Sequence, residues 1–117
     1  MKYLIIDDNT AMRELIKQEV CLEEDYIIEC SDGEDAVEAY TKHLPDFVLM
    51  DIKMNKVNGI AATRLIREKF YDANIIIITD YDTPGFRTAA KTAGAVAFVA
   101  KENLFEVKKY IYSLSDK

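Results

Sequence analysis

The chain is predicted to form one α/β domain, a doubly wound (βα)5 unit built on a five-stranded parallel sheet. Three observations predict this class. Short β-type runs alternate with helical patterns along the chain, the pattern of parallel strands joined by crossover helices. The run Ile75-Ile76-Ile77-Ile78 is apolar without alternation, as a central strand covered on both faces must be. At 117 residues and 50% hydrophobic content the chain suits a single compact core, so residues 1–117 are taken as one domain.

The first strand is Tyr3 to Asp7. The helix after it runs from about Thr10 to Cys21, with Asn9 as cap and Met12, Leu15, Ile16 and Val20 spaced as one apolar face. The second strand, Tyr26 to Cys30, leads through Ser31-Asp32-Gly33 into a helix whose Ala36, Val37, Tyr40 and Leu44 share a face until Pro45 stops it. The third strand, Phe47 to Met50, delivers Asp51 to a loop, and after Gly59 a helix occupies about Ile60 to Phe70. Ile75 to Thr79 is the fourth strand. Thr83-Pro84 reads as a cap followed by a first helical residue, opening a short helix to about Ala93 that Gly94 terminates. The fifth strand is Val96 to Ala100, with Val96, Phe98 and Ala100 alternating onto one face. The last helix carries Leu104, Val107, Ile111 and Leu114 at helical spacing.

Strand ends concentrate the chemistry. Asp7 and Asp8 follow Leu4-Ile5-Ile6, Asp51 follows Phe47-Val48-Leu49-Met50, Thr79 follows Ile75 to Ile78, and Lys101 follows Phe98-Val99-Ala100. Parallel strands bring their C-termini to one edge, where doubly wound folds bind ligands. Two carboxylates about 4 Å apart repel by roughly 4 kcal/mol at an effective dielectric near 20, so a cluster of them needs a cation, a proton or a lysine. Mg2+ suits such oxygen ligands, using one or two carboxylates and keeping several waters. A carboxylate there can also serve as a nucleophile and form an aspartyl phosphate. Lys101 would neutralise charge on the transferred group, and the Thr79 hydroxyl would hydrogen-bond it. Taken singly, each Asp could be a turn former or a cap, and only their joint placement carries the chemistry.

Composition excludes several classes. No apolar run approaches the roughly 20 residues that span a bilayer, and the N-terminus lacks the long apolar region of a signal peptide, so a cytoplasmic protein without membrane insertion is expected. Cys21 and Cys30 have no CxxC spacing and read as small buried hydrophobes. A formal charge of -6 disfavours direct nucleic-acid binding. His43, beside Leu44-Pro45, reads as a helix-end residue far from the strand-end pocket.

Over essentially its whole length the chain resembles the receiver domain of two-component response regulators, of the chemotaxis-regulator-like, flavodoxin-like type with strand order 2-1-3-4-5. The Asp7-Asp8 pair, Asp51-Ile52-Lys53-Met54 leading to Gly59, Thr79 and Lys101 carry the resemblance. It implies that Asp51 accepts a phosphoryl group from a sensor histidine kinase or phosphotransfer protein. Mg2+ would be held by Asp8, Asp51 and the backbone carbonyl of Lys53, with Asp7 behind them or joined through water. Thr79 and Phe98 would form the switch pair, although periodicity alone makes Phe98 a core residue. A downstream effector domain or protein would read the surface of the fourth helix, fifth strand and fifth helix, around Arg87, Lys91, Lys108 and Tyr112. Such a domain is a phosphoacceptor that assists its own phosphorylation and dephosphorylation, not an enzyme in the ordinary sense.

Several residues depart from the family pattern. Asn55 stands where a proline usually follows the methionine, Glu102 stands after Lys101 where many members carry proline, and Asp80 follows Thr79 where alanine or glycine is usual. Lys53 and Tyr81 hold the positions of the family's modulators of phosphoryl lifetime, and Asp80 lies beside the mouth of the phosphoryl site. The strongest competing reading is a phosphorylation-independent pseudo-receiver that acts as an interaction module. A haloacid-dehalogenase-type phosphohydrolase would need a second Asp where Asn9 stands, and a nucleotide or flavin binder would need a glycine-rich loop, yet no glycine precedes Gly33.

Overall fold

The computed structural model describes residues 1–54 and 56–115, so the proline-to-Asn55 departure lies outside the described residues. The elements run β1 (Lys2–Ile6), α1 (Thr10–Val20), β2 (Tyr26–Cys30), α2 (Ala36–His43), β3 (Phe47–Met50), α3 (Gly59–Lys69), β4 (Ile75–Thr79), α4 (Pro84–Ala93), β5 (Ala97–Ala100), a 3-10 turn over Lys101–Asn103, and α5 (Glu106–Ser115). All pairings are parallel and the strand order is β2-β1-β3-β4-β5, the doubly wound, flavodoxin-like arrangement. The order reverses beside β1, between it and β3, where this class of sheet opens its crevice.

Two apolar layers sandwich the sheet. Leu4, Ile6, Val48, Met50, Ile75 and Ile77 point to the side covered by Ala36 and Tyr40 of α2, Ala62 and Ile66 of α3, and Ala90 of α4. Tyr3, Ile5, Leu49, Ile76, Ile78 and Val99 point to the other side, against Ile16 and Val20 of α1 and Val107 and Ile111 of α5. Every residue of β3 and β4 is buried, which is why those strands read as continuous apolar runs. Among the described residues no helix is long and apolar enough to cross a membrane.

Three apolar residues fall elsewhere than predicted. Met12, Ile16 and Val20 mark the inward stripe of α1, and Leu15, about 100° round the helix from Ile16, is left 42% exposed. Leu44 does not continue the buried face of α2. It precedes Pro45, which disfavours the right-handed helical region there, and it caps the helix at φ 47° and turns out to 60% exposure. Val96 is exposed and lies just before the edge strand β5, although its N–H already donates to the Ile75 carbonyl at 2.8 Å. Among the described residues no peptide bond is cis, so Lys101–Glu102 is trans as its sequence requires.

Candidate functional site

The site is assembled by the last ladder bonds of the sheet. Beyond β1, the Asp7 N–H still donates to the Cys30 carbonyl at 3.1 Å, and beyond β3 the Asp51 N–H donates to the Ile6 carbonyl at 2.9 Å. Both aspartates are therefore fixed by backbone pairing and almost fully buried, whereas Asp8 is exposed. Gly59 shows why Asp51 can sit so deep. A Cβ on Gly59 would fall 1.8 Å from the Asp51 carbonyl oxygen, so only glycine lets the first turn of α3 close against it, with the Gly59 N–H donating to the Ile52 carbonyl at 2.8 Å.

Carboxylate oxygens of Asp7, Asp8 and Asp51 lie within 4.8 Å of one another. Asp7 Oδ1 accepts from the Asn9 N–H at 2.9 Å, and Asp51 Oδ1 accepts from the Ile52 N–H at 2.9 Å. The remaining oxygens turn to Lys101, whose Nζ stands 3.1 Å from Asp7 Oδ2 and 3.5 Å from Asp51 Oδ2. Asp7 Oδ2 is buried and meets the Lys101 ammonium off the ideal hydrogen-bond direction. Three carboxylates gathered beside one ammonium, with a buried oxygen among them poorly satisfied, fit a hard cation with oxygen ligands.

The titration of the site follows from this crowding. Burial, with the Asp7 carboxylate behind it, pushes the Asp51 carboxyl up to about 6 against the opposing pull of Lys101. Burial alone would lower the Lys101 ammonium, but Asp51, Asp7 and Asp80 outweigh it and the net shift is upward.

Thr79 ends β4, fully buried, and its Oγ1 accepts from the Tyr81 N–H at 3.1 Å. It pairs with Ala100 as Ile77 pairs with Phe98, so by strand alternation Thr79 and Phe98 share the sheet face covered by α4. Phe98 is half-buried, and the Arg87 guanidinium, held by Asp82, stacks 4.8 Å from its ring centroid. Across the mouth of the site, Lys53 Nζ lies 4.7 Å from the Tyr81 ring centroid. Asp80 is 71% exposed, yet its Oδ2 comes within 3.8 Å of Lys101 Nζ. The structure thus brings Asp7, Asp8, Asp51 and Lys101 together, with Thr79, Asp80, Lys53 and Tyr81 around them. His43 is elsewhere, its carbonyl accepting from Lys2 Nζ at 2.8 Å at the opposite end of the sheet.

Sequence reasoning placed Asp32 only in the connection from the second strand to the second helix. It is a buried carboxylate whose Oδ1 accepts from the N–H groups of Glu34 at 2.8 Å and Val57 at 3.0 Å, and whose Oδ2 accepts from the Lys56 N–H at 2.8 Å. Burial alone would raise its carboxyl pKa, but these backbone donors hold it below the usual carboxylate range. An Asp-Gly pair after a strand signals only a turn, and nothing in it reveals partners two dozen residues away.

The profile of the family described as response regulator receiver domain matches residues 3–111. The chain belongs to that family. It is 36% identical over 115 residues to the chemotaxis protein CheY of Halobacterium salinarum, covering 97% of this chain and 92% of that one. It is 35% identical over 104 residues to the transcriptional regulatory protein DegU of Brevibacillus brevis, covering 87% of this chain but only 44% of that protein. Among solved structures it is similar to the response regulator TrrA of Thermotoga maritima in complex with Mg2+-BeF, at 32% identity and a TM-score of 0.86, covering 97% of each chain. This receiver domain is therefore a component of two-component signalling, with the five-stranded fold of its family.

Proposed function

We propose that this receiver accepts a phosphoryl group on Asp51 from a phosphohistidine of a sensor histidine kinase or phosphotransfer protein, and is a phosphoacceptor without turnover of a separate substrate. One observation carries the reading: Asp51 is buried at the end of the central strand, with its free Oδ2 facing Lys101 and two further carboxylates beside it. In the transfer, Asp51 Oδ2 forms the new oxygen–phosphorus bond as the bond from phosphorus to the histidine nitrogen breaks, and the donor nitrogen keeps that electron pair. Lys101 Nζ, 3.5 Å from Asp51 Oδ2, is placed to take up negative charge on the transferred group. The Thr79 hydroxyl would donate a hydrogen bond to it while its oxygen accepts from the Tyr81 N–H at 3.1 Å, and so links the site to its loop. Asp8, Asp51 and the Lys53 carbonyl would hold Mg2+, with Asp7 behind them or joined through water. Bound there, the ion would polarise the phosphoryl oxygens and offset the acidic cluster.

Thr79 and Phe98 are proposed as the switch pair, with Lys53, Asp80 and Tyr81 modulating rate and lifetime. The output surface is that of α4, β5 and α5, around Arg87, Lys91, Lys108 and Tyr112, read by an effector domain or partner; any DNA contact belongs to that effector. The proposed setting is the cytoplasm. Cys21 and Cys30 are free, and burial pushes both thiols up, Cys21 to about 11, as suits unreactive cysteines in a reducing compartment. With Mg2+ and acetyl phosphate, mass spectrometry should show one added phosphoryl group in the wild type and none in Asp51→Asn. Undiminished labelling of Asp51→Asn would refute the assignment.

A further inference from the structure

The β2–α2 and β3–α3 loops are joined by more than contact. Asp32 accepts from the N–H groups of Lys56 and Val57 at 2.8 and 3.0 Å. Its neighbour Gly33 comes so close that a Cβ would lie 2.5 Å from the Val57 carbonyl oxygen, and Lys56 Nζ meets Glu34 Oε2 at 3.1 Å. None of these contacts is needed to start α3. The cap of that helix is Asn58, whose side chain accepts from the Ala61 N–H at 2.9 Å, and Gly59 is anchored separately to Ile52. On one side of Lys53 the Ile52 N–H is held on Asp51 Oδ1, and on the other the N–H groups of Lys56 and Val57 are held on Asp32.

We propose that Asp32 is a positioning residue for cation binding at the acidic cluster, acting through the β3–α3 loop that carries Lys53. This rests on the role proposed above for the Lys53 carbonyl. With Ile52 held on one side and Lys56 and Val57 on the other, fewer backbone conformations are open to Lys53 before any ion arrives. A loop released at its far end must be ordered by the ion itself, and that entropy is subtracted from affinity. Asp32 touches none of the three cluster carboxylates, so its effect on the ion is transmitted by the loop.

Calorimetric titration of the metal-free chain with Mg2+ tests this. Asp32→Asn keeps the side-chain shape but presents an amide nitrogen where one carboxylate oxygen accepts, so one loop N–H loses its partner. The dissociation constant for Mg2+ should rise about tenfold, the scale typical of groups that orient metal ligands without binding the ion. Circular dichroism of the metal-free variant should remain that of the folded protein, and the Lys56 and Val57 amides should exchange faster. Asp46→Asn removes the same charge at the opposite end of the sheet, where Asp46 accepts from the Lys2 N–H at 2.7 Å, and should leave the affinity unchanged. Gly33→Ala displaces the loop while keeping the Asp32 carboxylate, should weaken Mg2+ comparably, and decides the question if Asp32→Asn does not fold. Affinity within twofold of wild type in the folded variants overturns the proposal, even if their denaturation midpoints fall. Equal weakening by Asp46→Asn also overturns it, by assigning the effect to net charge. A wild type that binds no Mg2+ removes the cation reading itself.

Discussion

Asp80 is the departure from the family pattern with the most direct consequence for rate, and the structure sets its size. Its carboxylate reaches within 3.8 Å of Lys101 Nζ, the ammonium proposed to meet the incoming phosphoryl group. Two unit charges at that distance interact by about 1 kcal/mol in water and about 4 kcal/mol at an effective dielectric of 20. At 71% exposure Asp80 belongs near the aqueous limit, and exposed ion pairs typically realise about 0.2–1 kcal/mol. Asp80 also repels an anionic donor, so both effects oppose phosphorylation. Asp80→Ala should therefore raise the rate constant for acetyl phosphate by about two- to fivefold, which corresponds to roughly 0.5–1 kcal/mol of barrier. Following phosphorylation by mass spectrometry at about 0.02 M and about 1 M salt separates charge from shape, because the Debye length falls to about 3 Å at 1 M and the gain must shrink. An unchanged rate at low ionic strength would sink the reasoning and leave Asp80 as a surface residue; a gain that persists undiminished at high salt would assign the effect to sterics.

Other expectations follow from the same geometry. Asp8→Ala should weaken Mg2+ at least about tenfold by calorimetry, whereas Lys101→Ala should leave metal binding and mainly impair the phosphorylated state; full Mg2+ affinity in Asp8→Ala would rule out its role as a ligand. The Asp51 carboxyl rises from 3.8 to about 6 on folding, so between those values the folded chain binds more protons than the unfolded one, and this group's contribution to stability falls as pH rises through that window. Metal-free Asp51→Asn should accordingly gain stability over wild type at pH 7.5, by no more than about 3 kcal/mol, and lose that advantage near pH 4 in urea titrations. Of the α4 side chains only Ala90 and Ala93 are buried, so its amides should exchange faster than those of α1 and change most on phosphorylation. A Cβ on Gly85 would meet only Thr83 Oγ1 at 4.0 Å, so Gly85→Ala should stabilise by about 0.5–1 kcal/mol and slow that exchange.

What was legible in the sequence was what local chemistry determines. The bounds of α4 were read without error because Thr83, Pro84 and Gly94 act within a turn: the Thr83 hydroxyl accepts from the Phe86 N–H at 3.1 Å, and Gly94 takes φ 109°. The strand ends were legible because a buried parallel strand must be apolar and the first polar residue after it falls at the edge. Leu15 and Leu44 misled because hydrophobicity was read as burial, while the stripe of Met12, Ile16 and Val20 and the constraint of Pro45 decided their places. Asp32 on Lys56 and Val57, Arg87 on Phe98 and Lys53 on Tyr81 were not legible at all. Each joins segments whose separation carries no periodic signal, and only the fold decides that they meet.

The acidic pocket is locally unfavourable, and its position in the sheet explains how it persists. Asp7, Asp51 and Asp80 share one ammonium, and burial keeps Asp51 more basic than an ordinary carboxylate. Near pH 7 a group with a pKa of about 6 is still mostly ionised, so the raised basicity suits the nucleophilic role proposed for it without silencing it. The cost is carried by the strands beneath, where the buried β3 leads into Asp51 and the Ile6 carbonyl at the end of β1 holds its N–H, while Gly59 closes over it. A substituent at Gly59 would therefore act on chemistry as well as on packing. To clear the 1.8 Å approach to the Asp51 carbonyl, either α3 or the strand end must move, and any outward movement of Asp51 would hydrate its carboxylate and return its pKa toward 3.8. Burial, basicity and closeness to Lys101 thus depend on this close backbone contact together with the ladder bond to Ile6.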